Sequence, residues 1–345
     1  MNKEFLYSML DSMSVTGFEI PLQKKVIAEM TPHVDEIRTD LTGNVYSIIN
    51  PDASYKVLLA GHIDEIGLVV TLIQEDGLVR VTRAGGIYPQ VFPGHQVVIH
   101  GAKGPVYGAV VNYHGLIKEG LKAEDFFIDI GAKDGDDARQ YVQAGDPAIL
   151  NTGYQEMLNG NLVARAIDDR AGAFIVLEAL KRAKERGCKV CVTTATTVGE
   201  ETTKRGASWA GRTVRPNAAI AVDVTYCTDV PGTHPEESGK ICLGKGPVLC
   251  NGSLINKKFN ELLKSIAEEK GIPYQVETFL SRTCTDIDEI HVFGSNVATA
   301  LVSLPLRYMH SPAEVCSLQD IENCIELIAE FLCRVDENTD FDPFK

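Results

Sequence analysis

Four short apolar runs constrain this chain most: KVLLA at 56–60, CKVCVTTATTV at 188–198, AAIAV at 218–222 and VATALVSL at 297–304. None shows the strict polar–apolar alternation of a half-exposed strand. A strand that is apolar on both faces must be covered on both faces, as inside a sheet flanked by helices. Helical patterns surround these runs. Residues 21–30 set Leu22, Val26, Ile27 and Met30 on one face, and residues 170–186 are mostly apolar. Residues 253–270 align Ile255, Phe259, Leu262, Leu263 and Ile266 before Gly271 and Pro273 end the helix. A last helix starts at Ser317, with Asp320 in the capping-box position, and runs through Ile321, Ile325 and Ile328. Strands and helices alternating in this way predict an α/β fold.

From residue 71 to 159 the texture changes. Short alternating strands such as GLVRVTRAGG and QVVIHGAKGP are broken by Gly, Pro and Asp. Turn signals recur about every 8 to 12 residues, the spacing of a small β-barrel or sandwich. A chain of 345 residues exceeds one ordinary core. The expected organisation is an α/β domain (1–70 and 160–345) interrupted by a β-barrel-like insertion (71–159).

The polar residues fall in a pattern. KVLLA leads into Gly61-His62-Ile63-Asp64, and TTATTV into Gly199-Glu200-Glu201. AAIAV is followed by Asp223, VATALVSL by a segment containing His310, and Asp168-Asp169 precede the buried helix. Each has an ordinary reading by itself: a core histidine, a helix cap, a solvated charge pair, a turn former. Their shared place at strand ends singles them out, because sites in open α/β sheets form at the carboxyl edge of the strands. Two His and several carboxylates suit a pair of borderline divalent ions, Zn, Co or Mn. An Asp fixed at a helix start can bridge two ions. Asp64, two residues after His62, can accept the other ring N–H and fix its tautomer. Adjacent carboxylates repel unless a cation or proton compensates them. If Glu201 binds metal, Glu200 stands beside the activated water as general base.

Other classes are excluded on simple grounds. The formal net charge of -14 disfavours nucleic acid and anionic membrane as partners. The nine cysteines are scattered, and Cys188-x-x-Cys191 enters an apolar strand, which predicts buried reduced thiols rather than a redox pair. No secretory signal or membrane-length apolar run is evident, so the expected location is the cytoplasm. GASWA around Ser208 lacks the second Gly of a nucleophile elbow, and GKGP at 244–247 is no phosphate loop.

The motifs GHIDEIG, ARAIDDRAG, GEE…RGA, AVDVTYCTDVPGTHPEE and RYMHSPAEV occur in this order, with DFFIDIGAKD and AGDPAIL in the inserted region. Together they resemble the M42 family of dinuclear metallo-aminopeptidases, which includes the tetrahedral (TET) enzymes. The resemblance implies a mixed-sheet dinuclear metallopeptidase domain with an inserted PDZ-like β-domain. It implies two metal ions, with Asp168 bridging, His62 and Asp223 on one and Glu201 and His310 on the other. Glu200 would be the base, Asp64 the orienting acid, and the Asp168–Asp169 peptide cis. It also implies short peptides as substrates and self-association to dimers and tetrahedral dodecamers. The chain departs from the family's usual pattern at Thr202-Thr203-Lys204, at Cys284-Thr285-Asp286-Ile287 and at VNYHGLIKEG. Asp286 is the candidate for placing the substrate's α-amine, and Arg282 for favouring an acidic first residue. The alternatives are a related dinuclear metal deacylase or carboxypeptidase and, with paired carboxylates but no use for two histidines, a glycoside hydrolase.

Overall fold

The apolar runs form the middle of one sheet. In the computed structural model, which describes residues 1–112 and 120–345, eight strands pair in a single mixed sheet. The chain lays down β1 (Glu36–Thr39), β2 (Val45–Ile49) and β3 (Lys56–His62) first. It then leaves for β4 (Gly67–Ile73), β5 (Val79–Ala84), β6 (Gln96–Gly101), β7 (Gly104–Val110), β8 (Phe127–Asp129) and β9 (Pro147–Leu150). After β10 (Gln155–Glu156) and β11 (Asn161–Ala164) it returns with β12 (Cys191–Thr197), β13 (Ala218–Tyr226), β14 (Val248–Gly252), β15 (Gln275–Phe279) and β16 (Ala298–Leu306). β17 (Glu314–Ser317) joins β10 and β11 in a small separate sheet.

The large sheet runs β1-β2-β12-β3-β13-β16-β14-β15. Its centre is parallel: β3 pairs with β12 and β13, and β13 with β16. β2 and β14 run against their inner neighbours, which makes the sheet mixed. Every residue of β12 is buried, as the continuous apolar run requires. Register then fixes the functional edge. His62 lies opposite Thr197, and Asp223 opposite Ser303.

The long helix Ile167–Glu185 packs on this sheet. Gly61 permits the approach: a Cβ there would lie 2.6 Å from the Ala173 backbone nitrogen. The side-chain-free contact brings the helix start down to His62. The helix expected from residue 253 instead begins at Lys257, because the Asn256 side chain caps it by accepting the Phe259 N–H at 3.0 Å.

The inserted strands close into an antiparallel six-stranded barrel, ordered β4-β5-β8-β7-β6-β9, from Gly67 to Leu150. It has its own core, with Leu68, Val81, Val97, Ile99, Phe126 and Ile128 among the members. Residues 113–119 of the divergent VNYHGLIKEG segment lie outside the described residues. Cys188 and Cys191 are both free and buried, and burial pushes the Cys188 thiol up to about 11, so the pair is not an exposed redox motif. Among the described residues, no helix is long and apolar enough to cross a membrane.

Candidate metal centre and active site

The strand-end residues meet where the carboxyl edge of the sheet faces the barrel. His62, the last residue of β3, points Nε2 at Asp168 Oδ1, 3.2 Å away. His310, in the segment after β16, points Nε2 at the other oxygen, Oδ2, also at 3.2 Å. Asp168 therefore presents one carboxylate oxygen to each imidazole. His310 Nε2 is also 3.8 Å from Glu201, and its Nδ1 is 2.8 Å from the barrel's Gly86 carbonyl oxygen. A Cβ on Gly86 would press on the His310 ring at 3.2 Å, so the barrel backbone approaches there without a side chain.

The two neighbouring aspartates divide their roles. Asp169 accepts the Gly172 N–H and the His62 N–H, each at 3.1 Å. It caps the long helix and ties it to β3. Asp168, joined to it through a cis peptide, keeps both oxygens toward the histidines. The side chains of His62, Asp168 and Glu201 offer ligand atoms within 4.8 Å of one another, and so do those of His62, Asp169 and Asp223.

Electrostatics marks the cluster. Burial, reinforced by the charge of Asp168, pushes the carboxyls of Glu201 and Asp223 well above the usual range. Burial and the nearby Asp223 do the same to Asp169. Asp168 differs: against the cost of burial, hydrogen bonds from His310 and His62 hold it below the usual range. Two imidazole nitrogens among several crowded, buried carboxylates are the donor set of borderline divalent cations, and the residues fit such ions.

Asp64 organises the edge from beneath. Its carboxylate accepts the Glu200 N–H at 3.1 Å and the Glu201 N–H at 3.2 Å. His62 Nδ1 lies 3.1 Å from the Asp64 carbonyl oxygen and 3.5 Å from its carboxylate. With its proton on Nδ1, His62 would have Nε2 free to ligate a metal ion instead of donating to Asp168. Glu200, 8% exposed, pairs with Lys204, whose Nζ also donates to the Cys284 carbonyl at 2.6 Å.

A cleft of about 580 Å³ opens from these residues. Arg282 stands on its wall, but the guanidinium already meets Glu289 at 2.6 Å and Asp288 at 3.3 Å. Asp286 is 2% exposed and bonded to Thr197, and its neighbours Cys284 and Thr285 line the cleft instead. Burial, then the charge of Glu200, pushes the Asp286 carboxyl up to about 7.

Sequence reasoning missed two buried groups. Glu314 accepts the Asp168 N–H at 3.2 Å and the His310 N–H at 2.8 Å. It fixes both the shared carboxylate and a histidine that sits, with Tyr308, in the left-handed region (φ 62 and 61). Glu65 lies buried between Arg165 and Arg170, which also bond the carbonyls of Ser12, Met9 and Leu10. Burial lowers the Arg170 guanidinium to about 10. Glu65 directly follows Asp64 and Glu314 lies four residues after His310, but the backbone amides and guanidinium groups that each one meets are brought in by the fold and leave no local sign. Glu65→Gln leaves two buried guanidinium groups facing a neutral amide. It is expected to destabilise the protein by about 3–5 kcal/mol, read as a lower urea midpoint.

Residues 43–327 match the M42 glutamyl aminopeptidase family. The chain belongs to this family. It is an aminopeptidase, a hydrolase of peptide bonds. A lysyl aminopeptidase of Pyrococcus furiosus is 30% identical over 355 residues, covering 99% of each chain. A TET aminopeptidase from a marine-sediment archaeon, Thaumarchaeota archaeon SCGC AB-539-E09, superimposes with a TM-score of 0.91 at 31% identity, over 97% of this M42 chain and 96% of the other. The Pyrococcus horikoshii TET1 peptidase, described as assembling into a tetrahedron or a large octahedral shell, gives 0.86 at 26% identity, over 96% and 99%.

Proposed function

We propose that this M42 aminopeptidase removes the N-terminal residue of short peptides with the help of two divalent cations, Zn or Co, with Mn as a further candidate. His62 and Asp223 would hold one, Glu201 and His310 the other, and Asp168 both. The observation that carries this reading is the Asp168 carboxylate set 3.2 Å from each of the two imidazoles. Bound there, the cations supply Lewis-acid polarisation of the scissile carbonyl and a lowered pKa for the attacking water.

The chain's own residues supply the rest. Glu200 takes the proton from the attacking water and passes it to the leaving amine. Asp64 sets the His62 tautomer and holds the Glu200-Glu201 backbone. Asp286, behind the cleft wall and bonded to Thr197, would help to place the substrate's α-amine. The reading assigns catalysis to 1–70 and 160–345 and assembly to the inserted barrel. Likeness to the TET1 peptidase, described as assembling into a tetrahedron or a large octahedral shell, supports self-association of copies, and dimers and a tetrahedral dodecamer are the assemblies proposed. The nine free thiols suit a reducing cytoplasm.

The test is a pair of leucine anilides, one with a free amine and one N-acetylated, run on metal-free protein and after adding Zn, Co or Mn. Hydrolysis is expected only with metal and only of the free amine. Equal turnover of the acetylated substrate would assign the site to a deacylase. Hydrolysis of a sugar substrate that survives full chelation would assign it to a glycosidase.

A further inference from the structure

The cleft continues past the metal cluster to a wall made by β13, β15 and β16. Thr225, Glu277, Phe279, Leu301 and Ser303 lie there. Glu277 is 2% exposed. One carboxylate oxygen accepts the Thr225 hydroxyl at 2.6 Å and the other accepts the Ser303 hydroxyl at 3.2 Å. Thr225 is two residues beyond Asp223 on the same face of β13, and Ser303 is Asp223's register partner on β16. The carboxylate of Glu277 therefore lines the same cleft as the candidate ligands, tied to the strand that carries Asp223 and to its register neighbour.

Its electrostatic position is unlike that of the other charges on the cleft. Lys204 is met by Glu200, and Arg282 by Asp288 and Glu289. Among the described residues, no Lys, Arg or His forms an ion pair with Glu277; its partners are two neutral hydroxyls. A carboxylate has about four lone-pair sites, so two hydroxyl donors leave room for more. Burying a charge without a counter-charge is costly. Leu301 and Phe279 beside it offer apolar surface for a methylene stem.

We propose that Glu277 reads the side chain of the substrate's N-terminal residue and selects a cationic one, lysine or arginine. The ammonium or guanidinium supplies the missing counter-charge through a charge-assisted hydrogen bond, while the stem packs on Leu301 and Phe279. The inference rests on the aminopeptidase reading of the same cleft. It replaces the acidic preference that Arg282 suggested from sequence, because Arg282 is already neutralised by its two acidic neighbours.

The experiment compares p-nitroanilides of lysine, arginine, norleucine, leucine and glutamate on the full-length protein with metal added. Norleucine has the four-carbon stem of lysine without the ammonium group. A hydrogen bond to a charged group contributes about 1.5–3 kcal/mol, so kcat/KM for lysine is expected to exceed that for norleucine by about 10- to 100-fold, mostly through KM. Glu277→Gln is expected to bring the lysine-to-norleucine ratio to about one, and Glu277→Asp to retain part of it. If the glutamine variant does not fold, the ratios in the unsubstituted protein and in Glu277→Asp carry the test. Cleavage of norleucine or leucine with no gain for lysine, faster cleavage of glutamate, or a ratio untouched by Glu277→Gln overturns this inference alone. Failure of all five substrates with metal bound overturns the proposed two-ion mechanism in this cleft and this inference with it.

Discussion

Glu200→Gln is expected to lower kcat on an aminoacyl anilide by about 10²- to 10⁴-fold while leaving metal content unchanged. Glutamine keeps the volume of the side chain, and its amide oxygen still accepts from Lys204. The backbone N–H of residue 200 still bonds Asp64, so the turn that carries Glu201 keeps its anchor. What disappears is a group able to take and return a proton. On the proposed reading that task falls to Glu200. Burial raises its pKa above the usual carboxylate range, while the charges of His62 and Lys204 work against the rise. Steady-state kinetics measures the first quantity and elemental analysis of the purified protein the second. A variant that kept both its metal and a turnover within a few-fold of the unsubstituted protein would move the base to another residue.

How much of this site was legible in the sequence depended on whether a residue's environment was local. His62, Glu200, Glu201 and Asp223 were readable because each follows an apolar run, and the sheet register places the ends of those runs together. The α/β fold and the β-rich insertion were readable from periodicity alone. Position alone did not separate Asp168 from Asp169, since both precede a helix; the family resemblance singled out Asp168, and the bonds to Gly172 and the His62 backbone show that Asp169 is the cap. Glu277 gave no signal. It sits in a short strand, QVETF, whose ordinary pattern says nothing of burial, and the groups that bury it, Thr225 and Ser303, come from strands distant in sequence. Glu314 and Glu65 were hidden for the same reason. Their partners are backbone amides and guanidinium groups brought in by tertiary packing. The pairing of Arg282 with Asp288 and Glu289 was likewise hidden, since it appears only once the loop is folded.

Asp168→Asn is expected to abolish the stabilisation that metal gives and to reduce activity by more than about 100-fold. Groups that only orient a metal ligand already contribute about 10- to 100-fold to metal affinity, and on the proposed reading Asp168 is shared by both ions. An asparagine offers one acceptor oxygen where the aspartate offers two. One imidazole Nε2, that of His62 or that of His310, must then face an amide NH₂, which cannot be a ligand. The substitution also removes the charge that both histidines bind most directly. Thermal unfolding with and without added Zn separates this from a general loss of fold. A ligand at 100 times its Kd stabilises by about 2.7 kcal/mol, so the unsubstituted protein is expected to melt several degrees higher with metal. The variant is expected to melt at the same temperature with or without it. A variant that still bound two ions and still gained stability from them would show that the carboxylate between the histidines is not the shared ligand, and the two-ion arrangement would have to be rebuilt around Asp169, whose oxygens the backbone already occupies.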